Sequence, residues 1–146
     1  MRVLVVTPDP DVRRMLAVRL ARAATVVDAV SGFDEARGPL LATPYHLLLT
    51  DLRLGEYNGL HLVHLAAVMD LPTRAVVFAA GFDPYLASEV RAAGAFYEHA
   101  HRIVAAAPGY LHAMLPTRDR RDPARVDRRT SPRGGRRSAD FAMLSV

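Results

Sequence analysis

The chain of 146 residues contains no cysteine, no tryptophan and no lysine. Without cysteine it can form neither disulfides nor thiolate metal sites, and it has no thiol nucleophile. No apolar stretch reaches the roughly 20 residues that a helix needs to cross a bilayer. The first residues also lack the pattern of a secretory signal peptide. We therefore predict no membrane span and expect a cytoplasmic protein.

The charge is distributed unevenly along the chain, whose formal net charge is +4. Residues 1–115 hold ten arginines and eleven acidic residues, whereas residues 116–146 hold nine arginines and four aspartates. Apolar residues make up 51% of the chain, as in globular proteins, but apolar periodicity is lost beyond residue 115. We therefore predict one folded domain, 1–115, followed by a disordered Arg-rich tail, 116–146.

Short apolar strands alternate with amphipathic helices through the first 107 residues. This alternation predicts an α/β fold, a doubly wound five-stranded parallel sheet of the flavodoxin-like type with helices on both faces. Two prolines interrupt the helical pattern, because an internal proline removes a hydrogen bond and clashes with the preceding turn. We expect Gly38-Pro39 to shorten or break the second helix, and Pro108 to interrupt the last one. The predicted strands are 1–7, 25–30, 45–50, 74–79 and 95–98.

Asp51 stands at the end of the third predicted strand. The segment from Tyr45 to Gly59 reads YHLLLTDLRLGEYNG, an apolar run followed by one carboxylate and a turn. Open α/β sheets bind ligands in the crevice at the carboxyl ends of their strands, here beside strands one and three. We therefore expect the Asp51 carboxylate to lie in that crevice.

The first 107 residues resemble the receiver domains of two-component response regulators. The features that carry the resemblance are the VLVV strand, the Asp51 segment, Gly59 at the start of the third helix, and the AAGA sequence before strand five. The resemblance implies that Asp51 is the phosphoacceptor and that Mg²⁺ is the cofactor. It also implies a histidine kinase or other signalling protein as partner. Output would come through contacts of helix 82–93, strand five and the last helix.

In that family the metal is held by an acidic pair after strand one, by the acceptor carboxylate and by the main-chain carbonyl two residues beyond it. The carbonyl would come from Arg53. The acidic pair falls on Thr7 and Pro8, neither of which is an acid. Asp9 comes one residue late; we predict that it caps the first helix, from where it could still reach a metal.

The remaining positions of the family site are also changed. A threonine or serine that contacts the phosphoryl group falls on Ala79, followed by Ala80, so that only backbone groups could serve there. The family's lysine falls on His101 in an ungapped reading, or on His99 if Phe96 is taken as the aromatic residue of strand five. A protonated histidine could partly replace that lysine.

These departures predict weak or absent Mg²⁺ binding and weak phosphorylation of Asp51. Three readings stay open: a phosphoacceptor with an impaired site, a pseudo-receiver fixed in one state, and an adaptor that binds nucleic acid through its basic tail. Outside the tail we expect no nucleic-acid binding. Phosphatases that form an aspartyl-phosphate need a second carboxylate where this chain has Arg53, so we predict that the chain is not an enzyme.

Overall fold

The computed structural model describes residues 1–22 and 25–113. Both the predicted domain limit at residue 115 and the predicted tail lie outside the described residues and stay predictions. Five parallel strands form one sheet in the order β2-β1-β3-β6-β7, which confirms the predicted fold class. The strands of this sheet are β1 (Arg2–Val6), β2 (Val26–Val30), β3 (Leu47–Asp51), β6 (Arg74–Ala79) and β7 (Phe96–His99).

Helices cover both faces of the sheet, because alternate residues of each strand point to opposite faces. On β1, Val3 and Val5 belong to the apolar cluster that includes residues of the first and last helices. Leu4 and Val6 belong to the other cluster, which includes residues of the three middle helices. The helices are α1 (Pro10–Ala21), α2 (Phe33–Ala42), α3 (Gly59–Val68), α4 (Pro84–Ala92) and α5 (Ile103–Tyr110). Among the described residues, no helix is both long and apolar enough to cross a membrane.

The prediction that prolines would break two helices is wrong. Helix α2 continues through Pro39 and α5 continues through Pro108. A proline inside a helix costs about 3 kcal/mol. Leu40, next to Pro39, and Ile103, in α5, are almost completely buried, and burying a large aliphatic side chain contributes about 1.5–3 kcal/mol. Packing of each helix on the sheet therefore offsets the local cost.

The turn after β3 forms a small antiparallel pair, β4 (Arg53–Leu54) and β5 (Tyr57–Asn58). Gly55 turns the chain between them with a positive φ of 71°, a conformation that glycine adopts without steric cost. Asn58 then caps α3 through its side chain, and the His61 ring nitrogen accepts the Asn58 backbone N–H. This capping box fixes the direction in which the chain leaves the end of β3.

Candidate functional site

Three strand ends meet where Asp51 lies. Asp51 is the last residue of β3 and pairs in register with Phe78 of β6, while its neighbour Thr50 pairs with Val6 of β1. Thr7 follows β1 directly. The carboxyl ends of parallel strands lie at one edge of a sheet, so the half-buried Asp51 carboxylate stands where open α/β sheets bind ligands.

Both carboxylate oxygens of Asp51 accept hydrogen bonds from the protein. The Thr7 hydroxyl donates to Oδ2 at 3.0 Å, and the Arg53 backbone N–H donates to Oδ1 at 3.1 Å. Thr7 is fully buried. The Arg53 bond belongs to the turn that follows β3, whereas the Thr7 bond joins two neighbouring strands. Asp51 is therefore held from its own loop and from β1.

Asp9 caps the first helix, as predicted. Its Oδ1 accepts the backbone N–H groups of Asp11 at 2.9 Å and Val12 at 3.3 Å, and Pro10 occupies the first helical position. These bonds satisfy donors that the first turn of a helix leaves unpaired. One oxygen of the nearest candidate carboxylate is therefore already committed to α1.

The position of the family's hydroxyl residue carries only a methyl group. Ala79 is the last residue of β6 and is buried, and Ala80 follows it on the surface. The predicted contacts to a phosphoryl group from these two residues could come only from their backbone. They stay a prediction.

The two candidate histidines lie at the end of β7. His99 pairs in register with Ala79, which sets the position of this strand, and His101 lies on the surface in the short 3₁₀ turn Ala100–Arg102. Their ring centroids are 5.4 Å apart, and the His99 ring is also 5.8 Å from that of Phe82. Among the described residues, the hydrogen bonds of the Asp51 carboxylate come from Thr7 and from its own loop, not from either histidine.

A buried carboxylate on β7 was missed in the sequence. Glu98 accepts the Tyr110 hydroxyl at 2.7 Å and the His99 backbone N–H at 3.0 Å. Burial, followed by the hydrogen bond to Glu98, raises the pKa of Tyr110 above its usual value. The sequence shows Glu98 at the end of a predicted strand and Tyr110 twelve residues later. This spacing does not reveal that the two side chains meet.

The residues at this edge do not fit the metal that the family site implies. Mg²⁺ requires a near-octahedral set of oxygen ligands, usually including more than one carboxylate or phosphate. Thr7 and Pro8 supply no carboxylate, Asp9 caps α1, and the oxygens of Asp51 already accept two hydrogen bonds. In the part of the chain that the structure describes, no group of three or more His, Cys, Asp or Glu side chains could hold a metal ion.

Comparison with known proteins is consistent with this architecture. No family model matches the chain. A segment of 62 residues, 42% of the chain, is 37% identical to the response regulator protein PilR of Pseudomonas aeruginosa but spans only 14% of that protein. A segment of 81 residues, 56% of the chain, is 33% identical to the response regulator receiver protein CpdR of Brucella abortus and spans 67% of it.

Solved structures include a response regulator protein from Burkholderia pseudomallei that contains a phosphorylated aspartic acid, a calcium ion and citrate. It superposes with a TM-score of 0.67 at 25% identity, over 77% of this chain and 66% of that one. Three observations point to the same family: the strand order β2-β1-β3-β6-β7, the aspartate at the end of β3 and the similarity to CpdR. The chain belongs to the receiver-domain family of two-component response regulators.

Proposed function

We propose that this receiver domain signals through protein–protein contact and that Asp51 is a slow phosphoacceptor. The observation that carries the proposal is the position of the Asp51 carboxylate at the end of β3, half-buried at the open edge of the sheet. The Burkholderia relative contains a phosphorylated aspartic acid. In the corresponding reaction here, an Asp51 oxygen would attack phosphorus while the bond from phosphorus to the donor breaks, the leaving atom being a ring nitrogen of a kinase phosphohistidine or an oxygen of acetyl phosphate.

The slow rate follows from the groups around the carboxylate. Phosphoryl transfer depends on positioning and on neutralising charge on the transferred group. Here the donors near Asp51 are a neutral hydroxyl from Thr7 and the Arg53 backbone N–H. Ala79 offers no hydroxyl, and a histidine, His99 or His101, stands where the family has a lysine. Little therefore stabilises the transition state.

The proposed contact surface, called here the aromatic surface, lies at the edge strand β7 and at the start of α4. It consists of Phe82, Tyr85, Tyr97 and His99, where Phe82 is 57% exposed and Tyr85 is 74% exposed. The Tyr97 ring centroid is 6.0 Å from that of Phe82, and its hydroxyl donates to the Gly81 carbonyl at 2.6 Å. Exposed aromatic groups on a firm backbone are typical of protein interfaces. We infer that a histidine kinase or another signalling protein binds here.

The phosphoacceptor proposal is tested by intact-mass spectrometry after incubation with acetyl phosphate, with Asp51→Asn as the matched control. A slowly growing adduct on the native chain, absent from the control, is the expected result. Rapid and complete phosphorylation of the native chain would contradict an impaired site. An adduct on both chains would place the phosphate elsewhere.

A second candidate function is a pseudo-receiver that works without phosphorylation. The observation that favours it is the hydrogen bond between the buried Thr7 hydroxyl and Asp51, which holds the carboxylate in one arrangement. An adduct that never forms over hours in the same experiment would favour this candidate. The contact surface and its proposed partners would be the same.

A further inference from the structure

We propose that the Thr7 hydroxyl takes the place of a metal ion beside Asp51, so that this receiver holds its acceptor aspartate without a divalent cation. The inference rests on the proposed function only in treating Asp51 as the centre of the site. It concerns how the carboxylate is held, which can be measured without any phosphorylation.

The Thr7 hydroxyl is satisfied on both sides. It gives its single proton to Asp51 Oδ2 at 3.0 Å and accepts the Asp9 backbone N–H at 3.2 Å. A hydroxyl has one proton to donate, so its orientation is determined by these two partners. Because Thr7 is fully buried, turning the hydroxyl away from Asp51 would leave an unpaired buried group, which is costly.

The backbone of Thr7 is held as firmly as its side chain. Its N–H donates to the Val30 carbonyl at 3.1 Å, and its carbonyl accepts the Arg13 Nη1 at 2.7 Å. Thr7 is thus joined to β2, to α1 and, through its hydroxyl, to the end of β3. Because Thr7 is hydrogen-bonded to all three of these elements, it cannot move aside to admit another ligand without breaking several hydrogen bonds.

A metal ion would gain little by displacing Thr7. It would take one carboxylate oxygen of Asp51, whose other oxygen already accepts the Arg53 N–H at 3.1 Å. Pro8 offers no side-chain ligand, and Oδ1 of Asp9 caps α1. Mg²⁺ gives up its bound water reluctantly, so a single partly engaged carboxylate does not compensate. The arrangement favours a hydrogen-bond donor over a cation.

The test measures the melting temperature of the full chain by circular dichroism, with and without millimolar Mg²⁺. We expect the native chain to show no shift. The double variant Thr7→Asp with Pro8→Asp places two carboxylates beside Asp51, which repel one another without a cation. We expect it to melt lower than the native chain and to be restored by Mg²⁺. Thr7→Ser keeps the hydroxyl and should behave like the native chain.

A single substitution keeps the inference testable if the double variant does not fold. Thr7→Val removes the hydroxyl at nearly constant volume, and we expect the melting temperature to fall by about 4–8 °C, with or without Mg²⁺. Thr73→Val is the matched control, because the Thr73 hydroxyl donates to the Tyr45 carbonyl at 2.9 Å. Thr7→Val should lower the melting temperature more, since it also leaves a carboxylate oxygen without its donor.

Two results would overturn the inference. One is a saturable rise of the native melting temperature with Mg²⁺ that Asp51→Asn removes. The other is a Thr7→Val variant as stable as the native chain. Neither result depends on acetyl phosphate, so failure of Asp51 to become phosphorylated would end the slow-acceptor proposal and leave this inference standing.

Discussion

Gly59 lies against the backbone of Asp51. A Cβ built on Gly59 would be 2.6 Å from the Asp51 carbonyl oxygen and 2.9 Å from two side-chain atoms of Thr50. The Gly59 N–H donates to the Leu52 carbonyl at 2.9 Å, so the start of α3 is bonded to the residue after Asp51. The acceptor loop closes tightly at this point because no side chain intervenes.

Gly59→Ala should therefore destabilise the domain. The added methyl group would force Asp51 or α3 to move, which costs about 1–3 kcal/mol for overpacking in a core. Chemical denaturation measures the change. Gly109→Ala is the matched control, because a Cβ there meets nothing within 4 Å inside α5, and the same substitution should stabilise by about 0.5–1 kcal/mol. Equal effects at the two positions would show that the close approach is not limiting.

Local signals predicted the parts of this structure that local chemistry decides. The side chain of Asp9 caps α1 as the sequence indicated, because a cap needs only an acceptor followed by free N–H groups. Asp51 lies at the end of its strand for a similar reason: the apolar run and the turn are contiguous. Pro39 does not end α2 as the sequence predicted, because burial of neighbouring α2 residues outweighs the cost of a proline inside the helix.

The contacts that decide the site could not be predicted. Thr7 and Asp51 are 44 residues apart, and their hydrogen bond depends on the register of β1 against β3. Glu98 and Tyr110 meet only because α5 returns over β7. Parallel strands carry no turn that would set their register, so the sequence shows which residues are polar but not which of them meet.

A second prediction concerns stability at high pH. The Tyr45 hydroxyl donates to Asp28 Oδ2 at 2.7 Å, and Arg2 pairs with the same oxygen at 2.9 Å. Burial, followed by the Asp28 hydrogen bond, raises the pKa of Tyr45 to about 12. A group whose pKa is raised on folding stabilises below its unfolded value, near 10 for tyrosine. We expect stability to fall as the pH rises from 10 to 12.

Tyr45→Phe should reduce that alkaline fall, leaving the part due to Tyr110, whose pKa is also raised, and it should cost about 0.5–1.5 kcal/mol at neutral pH for the lost hydrogen bond. Denaturation curves at a series of pH values give both quantities.

The hydrogen bond from Tyr45, followed by that from Arg2, lowers the pKa of Asp28. Stability from Asp28 is therefore present above its unfolded pKa near 4 and lost as the pH falls through its lowered value. If Asp28→Asn lost stability on acidification as the native chain does, this assignment would be wrong.

A third prediction concerns the buried carboxylate on β7. Tyr110→Phe leaves Glu98 Oε1 without the donor that lies 2.7 Å away, and Glu98 is only 8% exposed. An unpaired buried acceptor costs about 1–3 kcal/mol, so the free energy of unfolding should fall by that amount. Tyr85→Phe is the matched control, because Tyr85 is 74% exposed and surface changes usually stay within about 0.5 kcal/mol. Similar losses of unfolding free energy in the two variants would show that water replaces the Tyr110 hydroxyl as the donor to Glu98.

The last prediction concerns the rate at which Asp51 becomes phosphorylated. His101 lies on the surface just beyond the end of β7, at one of the two positions, His99 and His101, where the family resemblance places a lysine. His101→Lys supplies a permanent positive charge, and a gain of about 1.4 kcal/mol in transition-state stabilisation would raise the labelling rate by acetyl phosphate about tenfold. His64→Lys, on α3, adds the same charge away from β7 and should leave the rate unchanged. Equal acceleration by both variants would indicate general attraction of the donor. No acceleration by His101→Lys would show that a charge at this position does not act on the group transferred to Asp51.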